Sequence, residues 1–316
     1  MKINDLKDFI DRMCQIDVAI VVACTEGKSS KGTKYLSLTL QDSTGTIEAK
    51  KWEVLPGDEK LLAVKSVISV SGYPLVYNGS QLQFKISDVD PVVDYDEDDI
   101  ILQSPVDGKE LEKQFYEYID RIEDDEIKTI VTEVVANKHQ KLLSQPAAKT
   151  NHHEYAGGLL HHEVSMLKLA DAISNLYPTI NRDLLFGGII LHDLGKIVEL
   201  SGPVATEYTL EGKLIGHISL IQTDIIEAAK KHNITGETVT LLQHMVLSHH
   251  GKLEYGSPVL PCILEAEVMF QIDNMDSKIV MINKALKDVS VGGNSVRVLG
   301  LDGRSFYKHT KSKQQW

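Results

Sequence analysis

The chain has 316 residues, 42% hydrophobic and 25% charged, an ordinary balance for a globular protein long enough to hold two domains. No apolar run reaches the roughly 18 residues that a membrane span requires, and Met1-Lys2-Ile3-Asn4-Asp5 does not open a secretory signal, so a cytoplasmic protein without a membrane partner is expected. Three scattered cysteines, Cys14, Cys24 and Cys262, argue against a disulfide framework or a thiolate metal site and read as small core residues.

The formal net charge of −12 looks wrong for a nucleic-acid binder until it is divided along the chain. Residues 91–126 hold 3 Lys/Arg against 14 Asp/Glu. Nearly all the acidity therefore lies in one connecting segment and says little about the field at a binding face elsewhere.

Residues 1–90 read as short strands punctuated by turns. Asp17 to Cys24 is apolar and strand-like, Glu26 to Thr33 is a polar loop, and Tyr35 to Gln41 alternates with period two. Asp42-Ser-Thr-Gly45 is a hairpin signal leading to a strand over Thr46–Trp52. Ser66–Gly72 and Gln81–Ile86 supply two more strands, with a turn at Tyr77-Asn78-Gly79. Five strands in so short a stretch predict a small closed barrel. The run Tyr35-x-x-Leu38-x-Leu40-x-Asp42-x-Thr44-Gly45-x-Ile47-x-Ala49-x-x-Trp52 resembles the strand–turn–strand core of a nucleic-acid-binding OB-fold. That resemblance makes binding candidates of Lys28, Lys31 and Lys34, of Lys50 and Lys51 beside Trp52, and of Tyr35, Tyr73, Tyr77 and Phe84. Exposed rings stack on bases while lysines follow phosphates. The competing reading for each ring is core packing, and it is strongest for Trp52.

Residues 91–104, with Asp94, Asp96, Glu97, Asp98 and Asp99 between prolines, read as a solvated acidic linker. Beyond it the period turns helical, first through Leu111, Phe115, Tyr118, Ile119 and Ile122, then through Ile127, Ile130, Val131, Val134 and Val135.

The histidines of this second region fall in short clusters. The first is Asn151-His152-His153-Glu154-Tyr155, followed by His161-His162, of which His162 is placed to face inward with Met166. The apolar run Gly187–Leu191 ends on His192-Asp193, then Gly195-Lys196. Read alone, this pair is as compatible with a capped helix end as with two metal ligands. Further on come Gly216-His217, then His249-His250 before Gly251, then Asp273 and Asp276 on one face of an apolar helix. Carboxylates on such a face need a cation or strong donors.

The series resembles the HD superfamily of metal-dependent phosphohydrolases. The resemblance implies His162, His192, Asp193 and Asp273 as a core metal site. It also implies His217, His249 and His250 as ligands of a second ion, with Asp193 bridging. Asp276 stands in reserve, because Ile272 departs from the small residue usual before the last Asp. Imidazole with carboxylate suits Mn²⁺, and also Co²⁺, Fe²⁺ or Zn²⁺. Lys196 is then a candidate to neutralise phosphate charge, against a plain helix-end lysine. His152 and His153 are candidates to bind substrate or protonate the leaving oxygen, Lys149 to touch a phosphate, and Tyr255, Gly256 and Ser257 to line the entrance. The null alternative for each is a loop residue without a chemical role.

The expected organisation is multidomain, α and β. A five-stranded OB-fold barrel (1–90) and the acidic linker (91–104) precede an all-α HD domain (105–287), and a C-terminal extension (288–316) is expected to be a strand pair or a partly disordered tail. An OB-fold joined to NHHEYAGGLLHH, HDLGK, GHI and LSHHGKLEYGSP in this order resembles, over nearly the whole chain, the YhaM-type 3′→5′ exoribonucleases of Gram-positive bacteria. The resemblance implies Mn²⁺-dependent shortening of single-stranded RNA, and by extension single-stranded DNA, from the 3′ end; it leaves a homo-oligomer open. The alternatives are an HD hydrolase of small nucleotides, and a non-catalytic single-strand-binding factor.

Overall fold

The computed structural model describes residues 1–77, 81–149, 153–287 and 289–312. The chain divides into two compact units, one spanning Met1–Gln103 with Pro203–Thr206, the other made of the remaining residues from Ser104 onward.

The first unit is a closed barrel of β1 (Cys14–Lys28), β2 (Lys34–Gln41), β3 (Thr46–Lys51), β4 (Val67–Tyr77) and β5 (Gln81–Pro91) in the order β1-β2-β3-β5-β4. Among the described residues only β3 and β5 pair in parallel. A short helix α1 (Asp58–Leu61) lies between β3 and β4. Alternation sends Leu36, Leu38 and Leu40 of β2, Ile47 and Ala49 of β3, and Phe84 and Ile86 of β5 inward. Each such side chain contributes about 1.5–3 kcal/mol when fully buried. The Asp42 carboxylate closes the β2–β3 turn by accepting from Thr44 and Gly45 N–H groups at 2.8 and 3.1 Å.

Several expectations are corrected here. β1 runs on through Lys28, paired with Lys34, so the polar loop shrinks to residues 29–33. Lys51 is buried and donates to the Ser87 carbonyl, and Phe84 is fully buried; the inward face of the pleat takes both away from any ligand. Trp52, expected in the core, is 39% exposed, because β3 ends at Lys51 and the next residue leaves the barrel wall. The expected turn at Tyr77-Asn78-Gly79 lies largely outside the described residues. The linker's Asp99 pairs with Lys2 at 2.6 Å, and Ile100 is buried beside Ile20.

The second unit is helical. Its helices are α2 (Gly108–Asp120), α3 (Asp125–Leu142), α4 (Gly158–Leu176), α5 (Arg182–His192), α6 (Lys196–Glu199), α7 (Leu210–Leu214), α8 (His217–Lys231), α9 (Glu237–Ser248) and α10 (Leu264–Leu286). Asp107, Asp124 and Asn181 cap α2, α3 and α5 by accepting N–H groups of the first turn. Helix α5 is buried from Leu184 to His192 and touches α2, α3, α4, α8, α9 and α10, which explains its unbroken apolar sequence. None of the described helices is long and apolar enough to cross a membrane. Cys262 is exposed, and Cys14 and Cys24 are half-buried, so none is the fully buried filler expected. The extension is bridged Asn294 to Tyr307 and Val298 to Arg304, and Lys308 Nζ donates to the terminal α10 carbonyls of Leu286 and Lys287. Residues 289–312 are thus a folded loop pair rather than a loose tail.

Phe186 of α5 is fully buried and meets Tyr118 edge-on at 5.3 Å. Phe186→Ala is expected to destabilise the helical unit by about 3–5 kcal/mol, read as a drop in its chemical-denaturation midpoint at unchanged slope.

Candidate metal centre and nucleic-acid face

Four helix termini and two further helices converge in the second unit. His192 is the last residue of α5 and Asp193 its C-cap, Lys196 opens α6, His217 opens α8, and His249 is the C-cap of α9, with His250 following. His162 projects from α4, and Asp273 and Asp276 from α10. Two glycines permit the approach. A Cβ on Gly195 would lie 2.2 Å from the His217 carbonyl, and one on Gly251, at φ +74°, would enter the Phe270 ring at 2.4 Å.

The buried Asp193 carboxylate divides the site. Its Oδ2 lies 3.4 Å from His192 Nε2, 3.9 Å from His162 Nε2 and 2.6 Å from Lys196 Nζ. Its Oδ1 lies 3.4 Å from His217 Nε2 and 3.8 Å from His249 Nε2. Asp273 Oδ1 adds a contact of 3.2 Å to His162 Nε2. Candidate ligand atoms of His162, His192 and Asp193 all fall within 4.8 Å of one another, as do those of His217, His249 and His250.

Each of these five histidines spends its Nδ1 on a neighbour. His192 and His249 donate to the carbonyls of Ile189 and Val246 at 2.6 and 2.7 Å. His250 donates to the Tyr255 carbonyl at 2.8 Å, His217 to Glu199 Oε1 at 3.0 Å and His162 to Asp276 Oδ2 at 2.7 Å. That fixes Nε2 as the atom turned to the centre. Nε2 of His192, His217 and His249, and Oδ1 of Asp193, are buried without a hydrogen-bond partner, a costly state for the protein alone. A divalent cation satisfies all of them, so the residues fit the metal.

The electrostatics differ from ring to ring: against burial, the neighbouring carboxylates raise His162 well above its usual value and His192 to about 9. Burial works to raise the Asp193 carboxyl, but Lys196, His192 and His217 outweigh it and hold it well below the usual carboxylate range. Burial, with His250 alongside, pushes His249 well below the usual imidazole value, so it presents a lone pair. Burial lifts Glu163, 3.7 Å behind His192, to about 8.

A cleft of about 470 Å³ opens onto the centre, lined by Asp193, Lys196, His249, His250, Tyr255, Asp273 and Ser277. Of the expected site residues, His162, His192, Asp193, Lys196, His217, His249, His250, Asp273 and Tyr255 are thus brought together. His153 is a correction. It is 2% exposed, and its ring nitrogens meet Tyr155 Oη and Asp276 Oδ2 at 2.7 and 3.0 Å, so it stands behind His162 and does not face the cleft. Ser257 is buried and is not in the cleft wall, where Ser277 stands. Lys149 is exposed and does not line the cleft, and His152 lies outside the described residues. Glu199, Glu163 and Ser277 are not among the expected site residues, and Asp276, expected in reserve as a ligand, instead holds His162 Nδ1. The nearest sequence signal is Asp276, three residues from Asp273.

On the barrel, Lys50 Nζ lies over the rings of Tyr35 and Trp52, at 5.5 Å from each, and over Tyr77 at 5.9 Å. Tyr35 and Trp52 are 4.7 Å apart, and Tyr73 and Tyr77 are exposed. The surface is a cationic aromatic platform. Lys28 and Lys31 are exposed, whereas Lys34 is held by Glu26 at 2.9 Å and by Glu59, so its charge is largely spent within the barrel.

Known proteins match this arrangement. Residues 18–92 match the family described as an OB-fold nucleic acid binding domain, and residues 159–278 the HD domain. The 3′-5′ exoribonuclease YhaM of Geobacillus sp. (strain WCH70) is 45% identical over 298 residues, 93% of this chain and 92% of that one. Among solved structures, the second OB-fold domain of replication protein A from Methanococcus maripaludis is 27% identical, covering 31% of this chain and 98% of its own at a TM-score of 0.24. The mitochondrial single-stranded DNA binding protein Rim1 of S. cerevisiae is 17% identical, covering 28% and 99% at a TM-score of 0.24.

Mn²⁺ at 100 times its dissociation constant is expected to stabilise the helical unit by about 2.7 kcal/mol, seen as a rise in melting temperature. Gly195→Ala, which pushes His217 off Asp193, should forfeit part of that rise; a full rise in the variant contradicts the fit.

Proposed function

The chain belongs to the YhaM family of 3′→5′ exoribonucleases, and on that footing we propose that it removes nucleotides from the 3′ end of single-stranded RNA at a centre of two divalent cations, Mn²⁺ by preference. The observation that carries this reading is the set of five histidines whose Nδ1 atoms are pinned, four of which place Nε2 within 4 Å of the one Asp193 carboxylate. In this assignment His162, His192, Asp193 and Asp273 would hold one ion, and His217, His249 and His250, with Asp193 shared, the other. Imidazole with carboxylate is the donor set of borderline divalent ions. Bound there, such ions supply the Lewis acidity that activates water and spreads the charge gathering on the phosphoryl oxygens.

The chain's own residues do the rest. Lys196, ion-paired to Asp193 in the cleft wall, adds a positive charge beside the phosphate. The exposed Tyr255 ring at the cleft mouth offers a face to the terminal base. Water adds to the last phosphorus, the bond from phosphorus to the O3′ of the preceding nucleotide breaks, and O3′ takes a proton. A nucleoside 5′-monophosphate leaves, and the shortened strand keeps a 3′-hydroxyl.

The barrel platform of Lys50, Tyr35, Trp52, Tyr73 and Tyr77, with Lys28 and Lys31, holds the strand by stacking and phosphate contacts that ignore sequence. It raises the strand's local concentration at the nuclease centre. Stacking does not consult the 2′-hydroxyl, so single-stranded DNA is a second polymer for the same face.

The test is 5′-labelled single-stranded RNA incubated with the protein and Mn²⁺, with and without a chelator. A ladder shortening from the 3′ end, lost on chelation, is expected. Intact RNA that still shifts in a gel would favour a binding factor instead, and neither effect would favour a small-nucleotide substrate. Asp193→Ala should lower the rate more than about 100-fold, beyond what loss of an outer-shell partner costs, and leave binding intact. Trp52→Ala should do the reverse, weakening RNA binding by about 1–3 kcal/mol while hydrolysis at saturating RNA is kept.

A further inference from the structure

Behind His162, on the side away from Asp193, lies a chain of buried polar groups that the hydrolytic reading does not use. Asp276 Oδ2 sits 2.7 Å from His162 Nδ1 and 3.0 Å from His153 Nε2. His153 Nδ1 is 2.7 Å from Tyr155 Oη, which is 2.6 Å from His161 Nδ1. His153, His161, His162 and Asp276 are all buried. The segment holding His153 is shaped for this contact. His153 has φ +46°, a region non-glycine residues seldom enter, its carbonyl accepts the Ala147 N–H at 3.0 Å, and that carbonyl leaves no space for a Cβ on Gly158.

His153, His162 and Asp276 also have the residue types of a metal site, but the distances exclude one. Two ligands 2.1 Å from a tetrahedral ion lie about 3.4 Å apart, whereas Asp276 Oδ2 and His162 Nδ1 are 2.7 Å apart, a hydrogen-bond separation. An ion there would also strip the Nδ1 proton from His162 and put it on Nε2, the atom facing Asp193 and Asp273.

One arrangement of protons satisfies every link. A carboxylate only accepts, so the two contacts of Asp276 Oδ2 set the direction of the rest. His161 Nδ1–H then donates to Tyr155, Tyr155 O–H to His153 Nδ1, and His153 Nε2–H to Asp276, which also accepts from His162 Nδ1–H. Each donor points toward Asp276, and His162 Nε2 is left as the ring atom facing Asp193 and Asp273.

We propose that Asp276 is the positioning residue of His162, and that His153 and Tyr155 act through it. The segment 153–158 then serves as a remote brace for the ion held by His162, His192, Asp193 and Asp273. His153 in this role replaces the substrate contact expected from its sequence neighbourhood. The inference rests on His162 being a metal ligand, as in the proposed function.

Mn²⁺ titration of the full chain, followed by calorimetry and by the electron paramagnetic resonance of the bound ion, tests it. Asp276→Asn is expected to weaken binding at one site by about 10–100-fold. Tyr155→Phe, which deletes one hydroxyl, should weaken the same site by a smaller factor, with melting of the metal-free protein close to wild type. His192→Ala serves as reference. If His192→Ala loses that site while Asp276→Asn and Tyr155→Phe keep wild-type affinity, the brace is overturned and the ligand set stands. If His192→Ala itself binds as wild type, the ligand assignment fails and the brace with it. Where Asp276→Asn does not fold, wild-type affinity in Tyr155→Phe alone overturns the proposal.

Discussion

A carboxylate taken out of water is the constraint around which the helical unit is built. Asp193 is 2% exposed, and an ion so placed costs several kcal/mol unless partners repay it. Lys196 repays part of the cost through Oδ2. Oδ1 has no hydrogen-bond partner and faces His217 and His249. A protein free to evolve away from this cost would replace Asp193 with an apolar residue of similar volume. Its presence among rings whose Nε2 atoms turn toward it is the mark of a site shaped for cations.

The fold meets the geometry by using what helix ends leave over. The last carbonyls of an α-helix lack intrahelical donors. At the ends of α5 and α9 a histidine fills that lack with Nδ1, reaching back three residues to Ile189 and Val246. One hydrogen bond caps the helix, fixes the tautomer and aims Nε2. At the start of α8 the logic is inverted, since Glu199 accepts both the His217 N–H and its Nδ1 at 3.0 Å. Because each ring is oriented by its own helix terminus, the precision of the site depends on how α5, α8 and α9 pack, which is why the run leading to His192 is apolar on every side.

Much of this was legible in the sequence, and the parts that were not share a cause. Barrel strands follow from period-two alternation, and the ligand series from short clusters whose order resembles a known superfamily. What failed was the side on which a residue emerges. His153 was read with His152 as a substrate contact, yet a left-handed backbone turns it behind His162. Trp52 reads as the core-facing last residue of a strand over Thr46–Trp52, yet it lies one residue past the strand's end. Cys262 was read as core from residue type alone, and type carries no position. Glu199 was invisible for a different reason. It is 18 residues from His217, and only the return of α6 and α7 brings the two together.

The charge of the cleft links the two halves of the proposed function. Among the residues lining it, two carboxylates, Asp193 and Asp273, stand against the one ammonium of Lys196. In the proposed function, divalent cations would add positive charge there and so favour entry of the phosphodiester as well as its cleavage. Affinity for the strand must then come from a surface that does not depend on the ions, and the platform around Lys50 is such a surface. Grip and chemistry are thereby separable. A strand held by stacking advances as its end is shortened without the cleft having to bind each new sequence, so one centre suffices for a polymer of any composition.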